Sequence, residues 1–141
     1  MVIFQIRHQR IISFEGNTGP YILYTIVRIK SILEKYKESG KSLDATDAVG
    51  VLEDSASKEL MLSMTKFNEM IEDACNEIAP HKVCSYIYDL SNAFNHFYHE
   101  TKILAEEDEE KQLSYINLLK LTKRVLETCI DMLGFEAPEK M

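Results

Sequence analysis

Residues that interrupt helices are scarce in this chain: three Pro and five Gly in 141 residues, with no Trp at all. So little punctuation leaves room for few turns, and long helices joined by short links are expected. No apolar run approaches the roughly 20 residues that a bilayer span requires. The start also lacks the basic-then-apolar layout of a secretory signal, so a cytoplasmic location is expected. The three cysteines, Cys75, Cys84 and Cys129, are odd in number and far apart. That spacing excludes a disulfide framework and a CxxC redox or metal site, and each is read as a small core residue. A phosphate-cradling P-loop, a dinucleotide glycine fingerprint and a Gly-x-Ser-x-Gly elbow are missing too, so no turn that presents phosphate or a nucleophile is written here.

What is present suits a single soluble domain, with 45% hydrophobic and 28% charged residues and a length that supports one core. The formal net charge of −7 argues at first sight against a nucleic-acid partner, because phosphate neutralisation supplies much of such affinity. The average hides an asymmetry. Residues 1–41 hold seven Lys or Arg against three Glu, a net +4, whereas residues 42–141 hold nine against 20 acids, a net −11.

Four segments repeat apolar residues in alternating steps of four and three, the stripe of a helix packed in a bundle. They run Ile22, Ile26, Ile29, Leu33, Tyr36; then Leu60, Met64, Phe67, Ile71, Ala74, Ile78; then Val83, Ile87, Leu90, Phe94, Phe97; and last Leu118, Thr122, Val125, Cys129, Met132, widened by Leu119, Leu126 and Leu133. The fold class is therefore expected to be all-α, an antiparallel bundle of four main helices with an irregular N-terminal leader. Punctuation agrees: Asn17 or Thr18 can cap a first helix that Pro20 opens, Gly40 ends it, Pro80 opens the third and Gly134 stops the fourth. Lys41 to Ala56 mixes Gly, Asp, Ser and Thr without period and reads as a loop or connector, the most flexible part of the chain. The acidic run Glu106–Glu110 reads as solvated loop that complements the start of the last helix.

Two features carry candidate chemistry. Tyr21 and Tyr24, three residues apart on the basic first helix, share a face and offer flat rings on which an unpaired base can stack. On the third helix Asp89, Asn92, His96, His99 and Glu100 form a polar face. Two histidines three apart can ligate a metal in a bundle, yet no second Glu-x-x-His supplies the matching carboxylates, so no metal is expected. Composition and spacing alone favour a core role for the tyrosines, with each hydroxyl at the rim. Tyr86, Tyr88 and Tyr115 are read as core or surface, and Lys120, Lys123 and Arg124 as a solvated face able to add phosphate contacts.

The stretch Ser13-Phe14-Glu15-Gly16-Asn17-Thr18-Gly19-Pro20-Tyr21-Ile22-Leu23-Tyr24 resembles the passage into the anticodon-binding domain of arginyl-tRNA synthetases. Ala79-Pro80-His81-Lys82-Val83, Tyr86-Ile87-Tyr88-Asp89-Leu90, Ala93-Phe94-Asn95 and Phe97-Tyr98-His99 are similar to the core of that family's DALR-type domain. The closing Leu133-Gly134-Phe135-Glu136-Ala137-Pro138-Glu139-Lys140-Met141 is similar to the family's final Pro-Glu-Arg-Met, with Lys140 in place of the arginine. The resemblance runs from about Ile11 to Met141. It implies residues 1–16 as a leader at the junction with a catalytic domain, residues 17–141 as the helical anticodon-binding domain, and an interruption of the second stripe around Lys66 to Glu69.

The resemblance also implies a partner and a site. Tyr21, Tyr24, Arg28, Asn95, Tyr98 and Met141 take positions facing the anticodon loop of arginine tRNA, the rings for stacking, Asn95 for a base edge and Met141 through its thioether and carboxylate. The parent would be an ATP-dependent arginine-tRNA ligase whose catalytic domain uses ATP and magnesium. The HIGH-type and KMSKS-type motifs of that chemistry do not occur in these residues, so the stretch is expected to be catalytically inactive alone and to need no cofactor. The alternative is a helical module that binds only proteins, its acidic surface repelling RNA.

Overall fold

The structure, a computed structural model, describes residues 19–43, 49–50, 52–77 and 80–133, of which 74–77, 80 and 133 are described by backbone alone. They form five helices: α1 (Gly19–Glu38), α2 (Ser55–Thr65), α3 (Phe67–Glu77), α4 (Pro80–Glu100) and α5 (Glu109–Leu133). The leader expected over 1–16, the cap candidates Asn17 and Thr18, Gly134 and Met141 all lie outside the described residues. No strand occurs among those described, and the fold is the all-α bundle that the stripes require. No helix among them is long and apolar enough to cross a membrane.

The bundle is built around α4, which touches each of the other four helices. Its stripe of Val83, Ile87, Leu90, Phe94 and Phe97 is buried throughout, as is the α1 stripe from Ile22 to Tyr36. On α5 the expected Leu118, Thr122, Val125 and Cys129 are buried together with Leu119 and Leu126. Thr122 satisfies its hydroxyl on the Leu118 carbonyl at 2.8 Å, so a polar residue occupies a core position without an orphaned group.

The second stripe divides into α2 and α3 at Lys66, inside the window where the resemblance placed an interruption. No glycine or proline causes it. The Ser63 carbonyl, which a continuous helix would pair with the Phe67 N–H, instead accepts from the Tyr86 hydroxyl of α4 at 2.8 Å and from the Lys66 N–H at 3.4 Å. Thr65 adds its hydroxyl to the Leu62 carbonyl at 2.7 Å. Side chains thus take acceptors away from the regular ladder, and the helix restarts with the Met70 N–H on the Lys66 carbonyl at 3.0 Å.

Local chemistry explains the ends. Gly40 adopts a φ of 91°, a conformation that only glycine takes at little cost, just past the end of α1. Asp54 caps α2 by accepting from the Ser57 N–H at 2.9 Å, so Ser55 and Ala56, read as the end of the connector, belong to the helix. The acidic run has a defined task, because Asp108 accepts from the N–H groups of Glu110 and Lys111 at 3.1 and 3.3 Å and caps α5. The described parts of the connector are tied to α5: Lys41 donates to Gln112, Leu43 accepts from Lys120, and the Gly50 N–H donates to the Ser114 hydroxyl at 3.1 Å. A Cβ on Gly50 would lie 2.8 Å from that hydroxyl oxygen, so a larger residue there would turn the Ser114 hydroxyl aside and cost this hydrogen bond.

Cys129 is fully buried, Cys84 is half-buried, and the side chain of Cys75 lies outside the described residues. Burial pushes the Cys129 thiol from 9.0 up to about 12 and, more than any charge, raises the Tyr86 hydroxyl above its ordinary 10.0. Both shifts favour the protonated form in the folded state, so the stability they contribute is complete below the unfolded values and is lost as pH rises through the folded ones. Unfolding free energy is expected to fall once pH exceeds about 9, with Cys129 adding at most about 1.4 kcal/mol per pH unit to the slope between 9 and 12. Urea melts of the protein and of Cys129→Ala across that range check this; parallel slopes for the two would refute it.

Candidate nucleic-acid interface

Five of the six site residues proposed from the sequence meet where α1 crosses α4. Tyr21, Tyr24 and Arg28 advance along one face of α1 in steps of three and four, while Asn95 and Tyr98 are three apart on α4. The sixth, Met141, lies outside the described residues.

Asn95 is the hub. Its Oδ1 accepts from Arg28 at 2.7 Å, and its Nδ2 lies 2.9 Å from the Tyr21 hydroxyl, 3.1 Å from the Thr25 hydroxyl and 3.0 Å from the Ser91 carbonyl. A half-buried amide facing four groups from two helices has little freedom, so it fixes the α1–α4 crossing and the tyrosine together. Tyr21 in turn donates its hydroxyl proton to Asn92 Oδ1 at 2.7 Å.

Arg28 lies between two rings, its guanidinium carbon 4.4 Å from the centroid of Tyr98 and 4.9 Å from that of Tyr24, and it also donates to the Tyr24 hydroxyl at 3.3 Å. Cation–π contacts of this kind contribute about 0.5–1 kcal/mol each when exposed. Its hydrogen-bond partners among the described residues are neutral, and no described carboxylate pairs with it. Among the described residues the positive charge is therefore held in place without being cancelled. Tyr24 remains 51% exposed even though Arg28 lies over its ring.

The open grooves elsewhere differ in charge. Between α3 and α4, Lys66 and Lys82 face Glu69, Asp73 and Asp89. Between α1 and α5, Lys30, Lys35 and Lys123 face Glu34, Glu38 and Glu127, with Lys123 only 2.7 Å and Lys30 3.8 Å from Glu127. Lys120 and Lys123, considered for phosphate contacts, are thus engaged by protein groups. The polar face of α4 is also divided. His96 turns to Glu59 of α2 at 3.1 Å while Asn92 turns to Tyr21, and among the described residues no three His, Cys, Asp or Glu side chains gather into a metal-binding group.

Three further residues take part. Thr25 is fully buried against Asn95, Asn92 turns away from the histidines of its polar face, and Tyr88 is a surface residue whose ring stands 5.8 Å from that of Tyr21 at 59° and is 43% exposed. The signal was the spacing of Tyr88, Asn92 and Asn95 on one face of α4. It becomes readable only when α1 is set opposite.

Comparison with known proteins bears on the family and the fold. Residues 22–141 match the family model described as the DALR anticodon binding domain. The chain is 63% identical over 133 residues to the arginine-tRNA ligase of Agathobacter rectalis and 54% identical over 132 residues to that of Alkaliphilus oremlandii, covering 94% of this chain in both. Among solved structures, the arginyl-tRNA synthetase of Plasmodium falciparum superposes with a TM-score of 0.76 at 31% identity, and that of Thermus thermophilus with 0.72 at 29%, each covering 91% of this chain. In all four, the chain spans 22% of the length of the protein it matches. With the family model covering most of its length, the chain belongs to the DALR anticodon binding domain family.

Proposed function

We propose that this chain is the part of an arginine-tRNA ligase that holds the anticodon loop of arginine tRNA, orienting it for aminoacylation by a catalytic domain elsewhere in the parent protein, in the cytoplasm. Arginine activation, with its ATP and magnesium, belongs in this reading to the remainder of such a ligase, and the present chain takes no cofactor. The observation that carries the proposal is the Arg28 clamp: a cation set against two tyrosine rings, one of them half exposed, with no carboxylate paired to it among the described residues. Unpaired nucleotides are held by that combination, bases on aromatic faces and a cation on the adjoining phosphate. A module that binds only proteins through an acidic surface would not place its cation at the centre of the aromatic cluster.

The test is binding of arginine tRNA against a non-cognate tRNA at matched ionic strength. Arginine tRNA is expected to bind more tightly, and Tyr24→Ala to weaken it about fivefold to 150-fold, from roughly 1–3 kcal/mol of lost stacking. Arg28→Ala is expected to lower the slope of log affinity against log salt by about 0.7 to 0.9, the effect of one phosphate contact. Equal affinity for the two tRNAs, unmoved by Tyr24→Ala, would overturn the proposal.

A further inference from the structure

The hydrogen bonds of the cluster run in one direction. Arg28 is a donor only, so the Asn95 atom facing it must be Oδ1, and Nδ2 is left to donate. The Tyr21 hydroxyl accepts from Nδ2 and must then give its single proton to the next acceptor, Asn92 Oδ1. A fixed charge at one end thus sets the orientation of an exposed amide at the other. With Oδ1 turned to Tyr21, Asn92 presents Nδ2 outward, and that group has no partner among the described residues. One helical turn before it on the same face stands Tyr88, 43% exposed and steadied by the Tyr21 ring.

We infer that Tyr88 and Asn92 form a second nucleotide station beside the Arg28 clamp, with Tyr88 stacking an unpaired base and Asn92 Nδ2 donating to that base's ring carbonyl. The inference rests on the RNA-binding reading above and adds a preference to it. Asparagine usually reads adenine with both ends of its amide, Oδ1 to the exocyclic amine and Nδ2 to a ring nitrogen. Here Oδ1 is turned inward, so adenine could still accept from Nδ2 at a ring nitrogen but its exocyclic amine would be left beside a donor without an acceptor, and the station favours guanine, cytosine or uracil, whose ring carbonyl accepts from Nδ2.

The test uses the full chain and an anticodon stem-loop RNA of arginine tRNA in which each loop base bearing a carbonyl is replaced in turn by adenine. At one position the wild type is expected to lose about fivefold to tenfold. Asn92→Asp keeps an acceptor for Tyr21 but turns an oxygen outward, so the adenine penalty at that position alone should fall to parity or reverse. Any general weakening by the added charge cancels in the ratio of the two RNAs. Tyr88→Leu should weaken the unmodified loop, and the difference from wild type should vanish when that position is abasic. If wild type binds the stem-loop but Asn92→Asp preserves every adenine penalty, the second station is wrong and the anticodon-binding function stands. If wild type does not bind the stem-loop at all, both are overturned.

Discussion

Phe94→Ala is expected to remove about 3–5 kcal/mol of folding stability, the usual result of emptying a buried aromatic site. Set against a total of roughly 5–15 kcal/mol for a domain, that leaves the variant marginal at ordinary temperature. Phe94 is completely buried on α4, the helix that touches all the others, so the cavity would open where every helix depends on its neighbours. Its ring lies 6.4 Å from Phe97 and 6.3 Å from Tyr98. The second contact ties the core to the site, since Tyr98 rests on Phe94 and supports Arg28. RNA binding should therefore weaken in Phe94→Ala even under conditions where the domain remains folded. Phe97→Ala provides the contrast, because Phe97 packs edge-on against Tyr115 at 5.6 Å, whereas it is Phe94 that meets the Tyr98 ring. Its loss of stability should be similar and its loss of affinity smaller. Urea unfolding and tRNA titration of both variants check this, and a Phe94→Ala cost below about 1 kcal/mol would show that the site collapses to fill the gap.

Much of this architecture is visible along the chain, because α1, α4 and α5 each bury one continuous stripe and helical spacing alone identifies it. The division at Lys66 is different in kind. It depends on the Tyr86 hydroxyl reaching a carbonyl 23 positions earlier, and no local pattern encodes such a meeting. The site divides the same way. Tyr21, Tyr24 and Arg28 share a face by spacing, so α1 announces its half, whereas Asn95 joins them across 67 to 74 positions. Tyr88 and Asn92 are silent in the sequence for that reason: on α4 alone they are an exposed ring and an amide, and the direction of the Asn92 amide is set by an arginine on another helix. The summed charge was a poor guide for a related reason. A net −7 describes the whole surface, while a bound nucleotide responds to the groups within about a Debye length, near 10 Å at moderate salt.

Asn95 is the position where stability and recognition separate most clearly by choice of substitution. Asn95→Ala removes the acceptor of a charged donor and two interhelical donor contacts at once, and a cost of about 2–3 kcal/mol is expected, most of it from Arg28, which keeps only its longer bond to the Tyr24 hydroxyl. The rings lose their placement with it, so affinity for arginine tRNA should fall at least tenfold. Asn95→Asp changes one thing more and one thing less. The introduced carboxylate keeps an oxygen for Arg28 and binds it more strongly through opposite charge, which offsets part of the loss on the other side where Thr25, Tyr21 and the Ser91 carbonyl no longer receive a donor. It also cancels the charge that the clamp offers to phosphate. Asn95→Asp should therefore unfold at a urea concentration above that of Asn95→Ala while binding tRNA no better, with a salt slope reduced by about 0.7 to 0.9. If it instead keeps wild-type affinity and slope, Arg28 acts as a structural strut and the cation on the phosphate must be sought elsewhere.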